Sequence, residues 1–306
     1  MELRVKALAS GSSGNAYLLQ AGSTALLVDA GRPARVLERC LRDQGVGPGA
    51  LAGILLSHEH TDHTQGAIPL ARRYGAPLVA NAKTLASLGL GSPMARGALR
   101  EPASAYAASA QLSGPDTAPQ EEQAAGPPPL TQALVTGRGG QVGPFHVTSF
   151  RVPHDASDPV GYLIEYDGWS VCVVTDLGEA SASLYEPLRQ ADLVILEANH
   201  DAVRLRNGYY PAALKRRIGG REGHLSNDQA AEILVEACRS LAPQALKTVW
   251  LAHLSAHNNT QQGALQTVEE ALCGARLRRH IASLEVARRT VPSLEWRAQV
   301  VQRSLF

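Results

Sequence analysis

Short apolar runs that end on a histidine or an aspartate recur along this chain. Residues 51–56 (LAGILL) read as a buried strand, and after Gly66 the stretch 67–74 spaces its apolar positions with the period of a helix. Three later runs have the same form. Residues 145–152 (FHVTSFRV) lead into Pro153-His154-Asp155, 171–175 (VCVVT) into Asp176-Leu177-Gly178, and 248–252 (TVWLA) into His253-Leu254-Ser255. Between them, Ala231, Ile233, Leu234 and Ala237 give residues 228–240 one apolar face, which predicts an amphipathic helix with Ser226 or Asn227 as its N-cap. Strand-like runs alternating with helix-like ones predict an α/β fold. The histidines and aspartates then stand where strands end, which is where α/β sheets present their sites.

Chemistry sharpens that pattern at Ser57-His58-Glu59-His60-Thr61-Asp62-His63. Imidazole nitrogen and carboxylate oxygen are ligands for divalent cations, and an incomplete protein shell leaves room to acidify a water. His58 and His60, two apart in an extended or loop segment, can reach one cation, while Asp62 and His63, turned away by the following turn, can reach another. A solvated loop of histidines is the bland alternative, and it predicts no further ligands. Taken alone, His253 is one histidine after a strand and Asp176 a turn or helix-capping residue. Together with His154 they complete two shells, for two divalent metal ions. Zinc and manganese both accept this mixed nitrogen and oxygen set.

Composition sets bounds. The 306 residues are 44% hydrophobic, ample for a buried core, and a single domain spanning residues 1–306 is expected. A net charge of +1, from 29 basic and 28 acidic residues, gives no global electrostatic case for nucleic acid, so any such surface must be local. Cys40, Cys172, Cys238 and Cys273 form no Cys-x-x-Cys pair and read as reduced packing residues. Neither an apolar run of about 18 residues nor a leader is visible, so a soluble cytoplasmic protein without membrane contact is expected. Residues 89–140, rich in Ala, Pro, Gly, Ser and Gln and containing Pro127-Pro128-Pro129, are expected to form a flexible insertion.

The order His-x-His-x-Asp-His, then His, then Asp, then His resembles the metallo-β-lactamase superfamily. The resemblance runs from about Lys6 to about Ala287 and implies a four-layer αββα sandwich. It implies that His58, His60 and His154 hold one metal, that Asp62, His63 and His253 hold the second, that Asp176 bridges both, and that a water or hydroxide between them is the nucleophile.

Other segments bear on the substrate. Gly223-His224-Leu225-Ser226-Asn227 precedes the amphipathic helix, and His224 is by itself either an exposed histidine in a capping turn or a proton donor. The segment resembles the proton-donor motif of phosphodiesterase branches such as ribonuclease Z. Residues 9–15 (ASGSSGN) form a small-residue loop, a tight turn or a close approach to phosphate, with Ser12, Ser13 and Asn15, and also Asn258, as candidate substrate contacts. Arg204, Arg206, Lys215, Arg216, Arg217 and Arg221 cluster with Tyr209 and Tyr210, which suits either nucleic acid or a solvated helical face. Asp29 is expected to hydrogen-bond behind the ligand histidines, His200 and His257 to be supporting or surface residues, and His146 and His280 to be structural.

Taken with residues 27–31 and 197–201, these motifs resemble the YycJ/WalJ-like bacterial group. That implies a nuclease acting on DNA ends, 5′-to-3′ on double-stranded DNA, in DNA repair or replication fidelity, with Asp62 and His224 as catalytic residues. The long 89–140 stretch departs from the group, and no β-CASP domain is evident, which argues against the multi-domain RNA-processing nucleases. Hydrolysis of small cyclic or nucleotide phosphodiesters shares every ligand. A glyoxalase-type thioesterase does not need the Gly-His-Leu-Ser segment, and a non-catalytic metal-binding module would be favoured only by missing ligands.

Overall fold

The computed structural model describes residues 2–90 and 127–298. One seven-stranded sheet contains β1 (Leu3–Ala9), β2 (Ala16–Ala21), β3 (Thr24–Val28), β4 (Leu51–Leu55), β5 (Leu78–Asn81) and β6 (Thr131–Leu134) in that order, with the C-terminal strand (Glu295–Arg297) outside β1. The second contains β7 (Gly139–Val142), β8 (Phe145–Arg151), β9 (Val160–Tyr166), β10 (Trp169–Val174), β11 (Leu193–Glu197), β12 (Lys247–Ala252) and β13 (Ile281–Val286), again in spatial order. Each sheet is antiparallel in its first half and parallel in its second. β1 to β3 pair antiparallel and β3 to β6 parallel, as β7 to β10 pair antiparallel and β10 to β13 parallel.

Alternation along the strands builds three cores. Tyr17 and Leu19 of β2, Val171 and Val173 of β10, and Trp250 of β12 point between the sheets into one apolar cluster. Their neighbours Leu18, Cys172, Val174, Val249 and Leu251 face outward. The outer face of the first sheet is covered by α1 (Ala34–Asp43) and, beyond a short turn α2 (Thr61–Thr64), by α3 (Ala67–Tyr74), through Leu37, Leu41, Leu70 and Tyr74. After α4 (Ala82–Ser87), the outer face of the second sheet receives α5 (Ala182–Gln190). The short α6 (Ala202–Asn207) and α7 (Ala212–Ile218) follow, and then α8 (Asn227–Arg239) and α9 (Gln261–Gly274) complete that cover. Period-two strands with both faces apolar require a layer on each side, so the fold is a four-layer αββα sandwich.

The expected elements lie within a residue or two of those observed. Ser226 is the N-cap of α8, its hydroxyl accepting from Gln229 N–H while Gln229 accepts from Ser226 N–H. Within the expected insertion 89–140, residues 131–134 form β6, paired with β5, and residues 139–142 form β7, paired with β8. Residues 91–126 of it lie outside the described residues. Among the described residues, no helix is long and apolar enough to cross a membrane.

Candidate metal centre

The carboxyl ends of β3, β4, β8, β10, β11 and β12 deliver Asp29, His58, His154, Asp176, Glu197 and His253 to one place. Three of these sit in left-handed backbone, Asp29 at φ 58°, Asp176 at φ 58° and His253 at φ 53°. Such positions cost about 1–3 kcal/mol each and persist where the surroundings fix them. Here each one turns a side chain off the end of a strand and into the space between the sheets' ends.

The ligand atoms of His58, His60 and His154 lie within 4.8 Å of one another, as do those of Asp62, His63, Asp176 and His253. His154 Nε2 stands 3.4 Å from His60 Nδ1. That is about the edge of a tetrahedron with metal–nitrogen bonds of about 2.1 Å. Between the two groups lies Asp176, whose Oδ2 is 3.6 Å from His58 Nε2 and in contact with His63 Nε2, while Oδ1 contacts His253 Nδ1. Among the described residues, the buried ring nitrogen His58 Nε2 has no hydrogen-bond partner, and neither has His253 Nε2. Buried polar atoms are otherwise paired, so convergent unpartnered donors fit divalent cations.

Hydrogen bonds on the far side of the rings fix which nitrogen faces inward. His63 Nδ1 lies 2.7 Å from Asp29 Oδ2, His154 Nδ1 2.9 Å from Gly223 O, His58 Nδ1 3.1 Å from Ser57 Oγ, and His253 Nδ1 2.8 Å from Glu197 Oε1. At His63, His154 and His58 this leaves Nε2 to the centre, the arrangement that orients metal-binding imidazoles, while His253 Nδ1 also touches Asp176 Oδ1. Burial lowers the pKa of His58 well below the ordinary histidine value and also lowers His154, favouring the neutral, ligating form. At His63 burial acts the same way but Asp29, Asp176 and Asp62 outweigh it and raise the ring well above that value. Burial would raise Asp176, yet His253 and His63 hold it well below the carboxylate range.

Glu197 was not singled out as a functional residue by the sequence. It is fully buried, its Oε2 accepting the Leu177 and Leu225 N–H groups and its Oε1 lying 2.8 Å from both His253 Nδ1 and His224 Nδ1. His224 also lies 3.2 Å from Asp176 Oδ1. Burial would lower His224, but Glu197 and Asp176 push it up to about 9. A cationic imidazole whose Nδ1–H is held by a carboxylate has Nε2–H free to donate.

Residues 24–246 match the family model described as the beta-lactamase superfamily domain. The chain belongs to that superfamily. It is 30% identical to the exodeoxyribonuclease YycJ of Bacillus anthracis, over 89% of this chain and 90% of that protein. It is 34% identical to the exodeoxyribonuclease WalJ of Streptococcus pneumoniae, over 88% of each. The metallo-β-lactamase-fold protein YhfI from Bacillus subtilis superposes with a TM-score of 0.62, over 97% of this chain and 99% of that one at 17% identity, a likeness of fold. The chain is thus a metallo-β-lactamase-fold, YycJ/WalJ-like metal-dependent hydrolase.

The other candidate residues fall in different places. Ser12 is exposed and Ser13 half-buried, its carbonyl accepting from Arg32. Asn15 is fully buried and turned to the centre's interior, with Nδ2 3.0 Å from His63 Nε2 and Oδ1 accepting Gly11 N–H. It pins the loop rather than facing solvent. Asn258 is also buried. Asp29 takes the supporting place expected for it. Of the basic stretch, Arg217 pairs with Asp155 at 2.7 Å and Arg221 with both oxygens of Glu179, so these two strap the His224 loop to the loops that carry His154 and Asp176. Ser10, also not anticipated, accepts from Tyr17 and from His253 N–H at 2.8 Å, tying the 10–15 loop to β12.

Proposed function

We propose that this hydrolase degrades DNA from strand ends, 5′-to-3′ on double-stranded substrate, by cleaving phosphodiesters at a two-metal centre. His58, His60 and His154 would hold one cation and Asp62, His63 and His253 the other, with Asp176 shared, in either zinc or manganese form. When bound, the cations supply positive charge for phosphate oxygens and lower the pKa of an attacking water. The observation that carries the reading is His224, held by Glu197 and 3.2 Å from Asp176 beside the second ligand group, where a leaving oxygen needs a proton. The exodeoxyribonuclease names of the relatives support DNA as the substrate.

The remaining work falls to the chain's own groups. His224 binds the proton at Nε2 and passes it to the departing oxygen, while Glu197 keeps the ring aimed. Burial would raise Asp62, but His63 and His253 hold it below the carboxylate range. Asp62, 3.8 Å from His63 Nε2 and 3.4 Å from His253 Nε2, is placed to position the attacking water. Hydrolysis of a small phosphodiester is the second reading, favoured by the pairing of Arg217 and Arg221 with carboxylates, which removes two cations from any phosphate track.

Digestion of double-stranded DNA labelled at the 5′ or 3′ end, by chelator-stripped protein resupplied with manganese or zinc, tests this proposal. Stepwise release from the 5′ end that is lost in His60→Ala supports it. Intact DNA beside turnover of a small phosphodiester moves the assignment to the second reading.

A further inference from the structure

Tyr209 is an aromatic ring left 71% exposed between α6 and α7. It is not isolated. Its ring centroid lies 5.0 Å from that of Tyr210 and 5.6 Å from that of His257, and Tyr210 and His257 are 6.1 Å apart, all three pairs edge-on. The segment before α7 is thereby locked to the loop that follows β12. That loop begins at the candidate ligand His253, and four residues of chain span at most about 14 Å, so His257 is tethered within that reach of the ligand.

The mounting is rigid. The Tyr210 hydroxyl meets the Ser255 side chain. Ser255 N–H donates to Asn199 O at 2.8 Å, and Asp201 N–H donates to Asn258 O at 2.8 Å, so both sides of the cluster hang from the ends of β11 and β12. Gly208 lies so near that a Cβ there would sit 2.9 Å from Asn258 Oδ1. On the side of the 10–15 loop stands Arg289, close enough to act on Tyr210, with its Cγ 3.2 Å from where a Cβ on Gly11 would be. Its Nε is buried and has no hydrogen-bond partner among the described residues.

We infer that Tyr209, braced by Tyr210 and His257, is a stacking platform for a nucleobase of the strand end held at the centre, with Arg289 meeting a phosphate of that strand. The inference rests on the DNA reading above and specifies how the strand end is held. An enzyme that removes nucleotides regardless of sequence needs a contact that every base offers, and the π-face is the one they share. A braced ring supplies it with little side-chain entropy to lose. Arg289 provides the cation that Arg217 and Arg221, tied to carboxylates, do not.

The test uses double-stranded DNA whose terminal nucleotides on the attacked strand are either natural or abasic, with wild type, Tyr209→Leu and Tyr209→Phe compared. Natural DNA should lose about tenfold in kcat/KM with Tyr209→Leu, mostly through KM, and Tyr209→Phe should restore it. The gap between wild type and Tyr209→Leu should close on abasic ends. Terminal 2-aminopurine, read in chelator without turnover, should be quenched on binding wild type and not on binding Tyr209→Leu. Equal KM values and equal quenching for wild type and Tyr209→Leu would overturn the platform while leaving DNA as substrate. If wild type cuts neither DNA but turns over a small phosphodiester, the DNA reading itself fails, and the platform with it.

Discussion

At the scale of single residues, the centre is a chain of carboxylates and imidazoles running from Asp29 through His63, Asp176 and His253 to Glu197 and His224. Asp29→Asn keeps a residue that tolerates left-handed backbone while removing the charge behind His63. It should cost about 10- to 100-fold in metal affinity, measured by titration with manganese or zinc. Glu197→Gln should lower turnover by a similar factor, since it loosens both His253 and His224. His200 makes a prediction about stability. Burial pushes it down to about 4 from the ordinary 6.5. The unfolded chain therefore binds a proton first as pH falls, and stability present above pH 6.5 is lost on the way down to about 4. Denaturant unfolding of His200→Gln across that window should show a shallower pH dependence, by up to about 3 kcal/mol. The seven ligand candidates were legible because the cluster from His58 to His63 has few other uses and, once it is read as a metal motif, a histidine or aspartate after each later apolar run completes it. Glu197 was not, because a glutamate ending a strand has many, and its two imidazole partners lie 27 and 56 residues away.

At the scale of elements, glycines let the loops close around the ligands. A Cβ on Gly31 would overlap the Asp62 carbonyl and crowd Asn15 N, whereas nothing lies within 4 Å of one on Gly47. Gly31→Ala should therefore lower both the melting temperature and metal uptake, and Gly47→Ala should leave both near wild type, as thermal unfolding and metal analysis would record. Strands with apolar residues on both faces were readable as runs. β6 and β7 were not, because they are edge strands of four residues with an exposed, half-buried, exposed, buried pattern, and β7 opens on two glycines. Backbone pairing with β5 and β8, which leaves no trace in side-chain hydrophobicity, defines them. Likewise the basic stretch looked like one surface, and only its carboxylate partners, drawn from other loops, divide it into a strap at Arg217 and Arg221 and an aromatic cluster at Tyr209.

At the scale of the whole molecule, two sheets packed face to face carry the ligand candidates on strand ends and, for His60, Asp62 and His63, on the N-cap and body of the short α2 that follows β4, so the stability of the inter-sheet core and the geometry of the centre are linked. Trp250, fully buried two residues before the end of β12, fills that core. Trp250→Ala should cost about 3–5 kcal/mol in denaturant unfolding, and metal should offset part of the loss because only the folded state presents the ligands together. The α/β class followed from the alternation of runs, but the four layers came from resemblance, since a strand apolar on both faces does not say which layer covers which side.

The chemistry of the centre depends most directly on metal. Chelator-stripped protein titrated with manganese or zinc, with hydrolysis of end-labelled DNA read at each addition, should bind two equivalents and gain activity only as they fill, and Asp176→Ala should lose both. Hydrolysis that persists without added metal, or metal uptake unchanged in Asp176→Ala, would contradict a centre built from these residues.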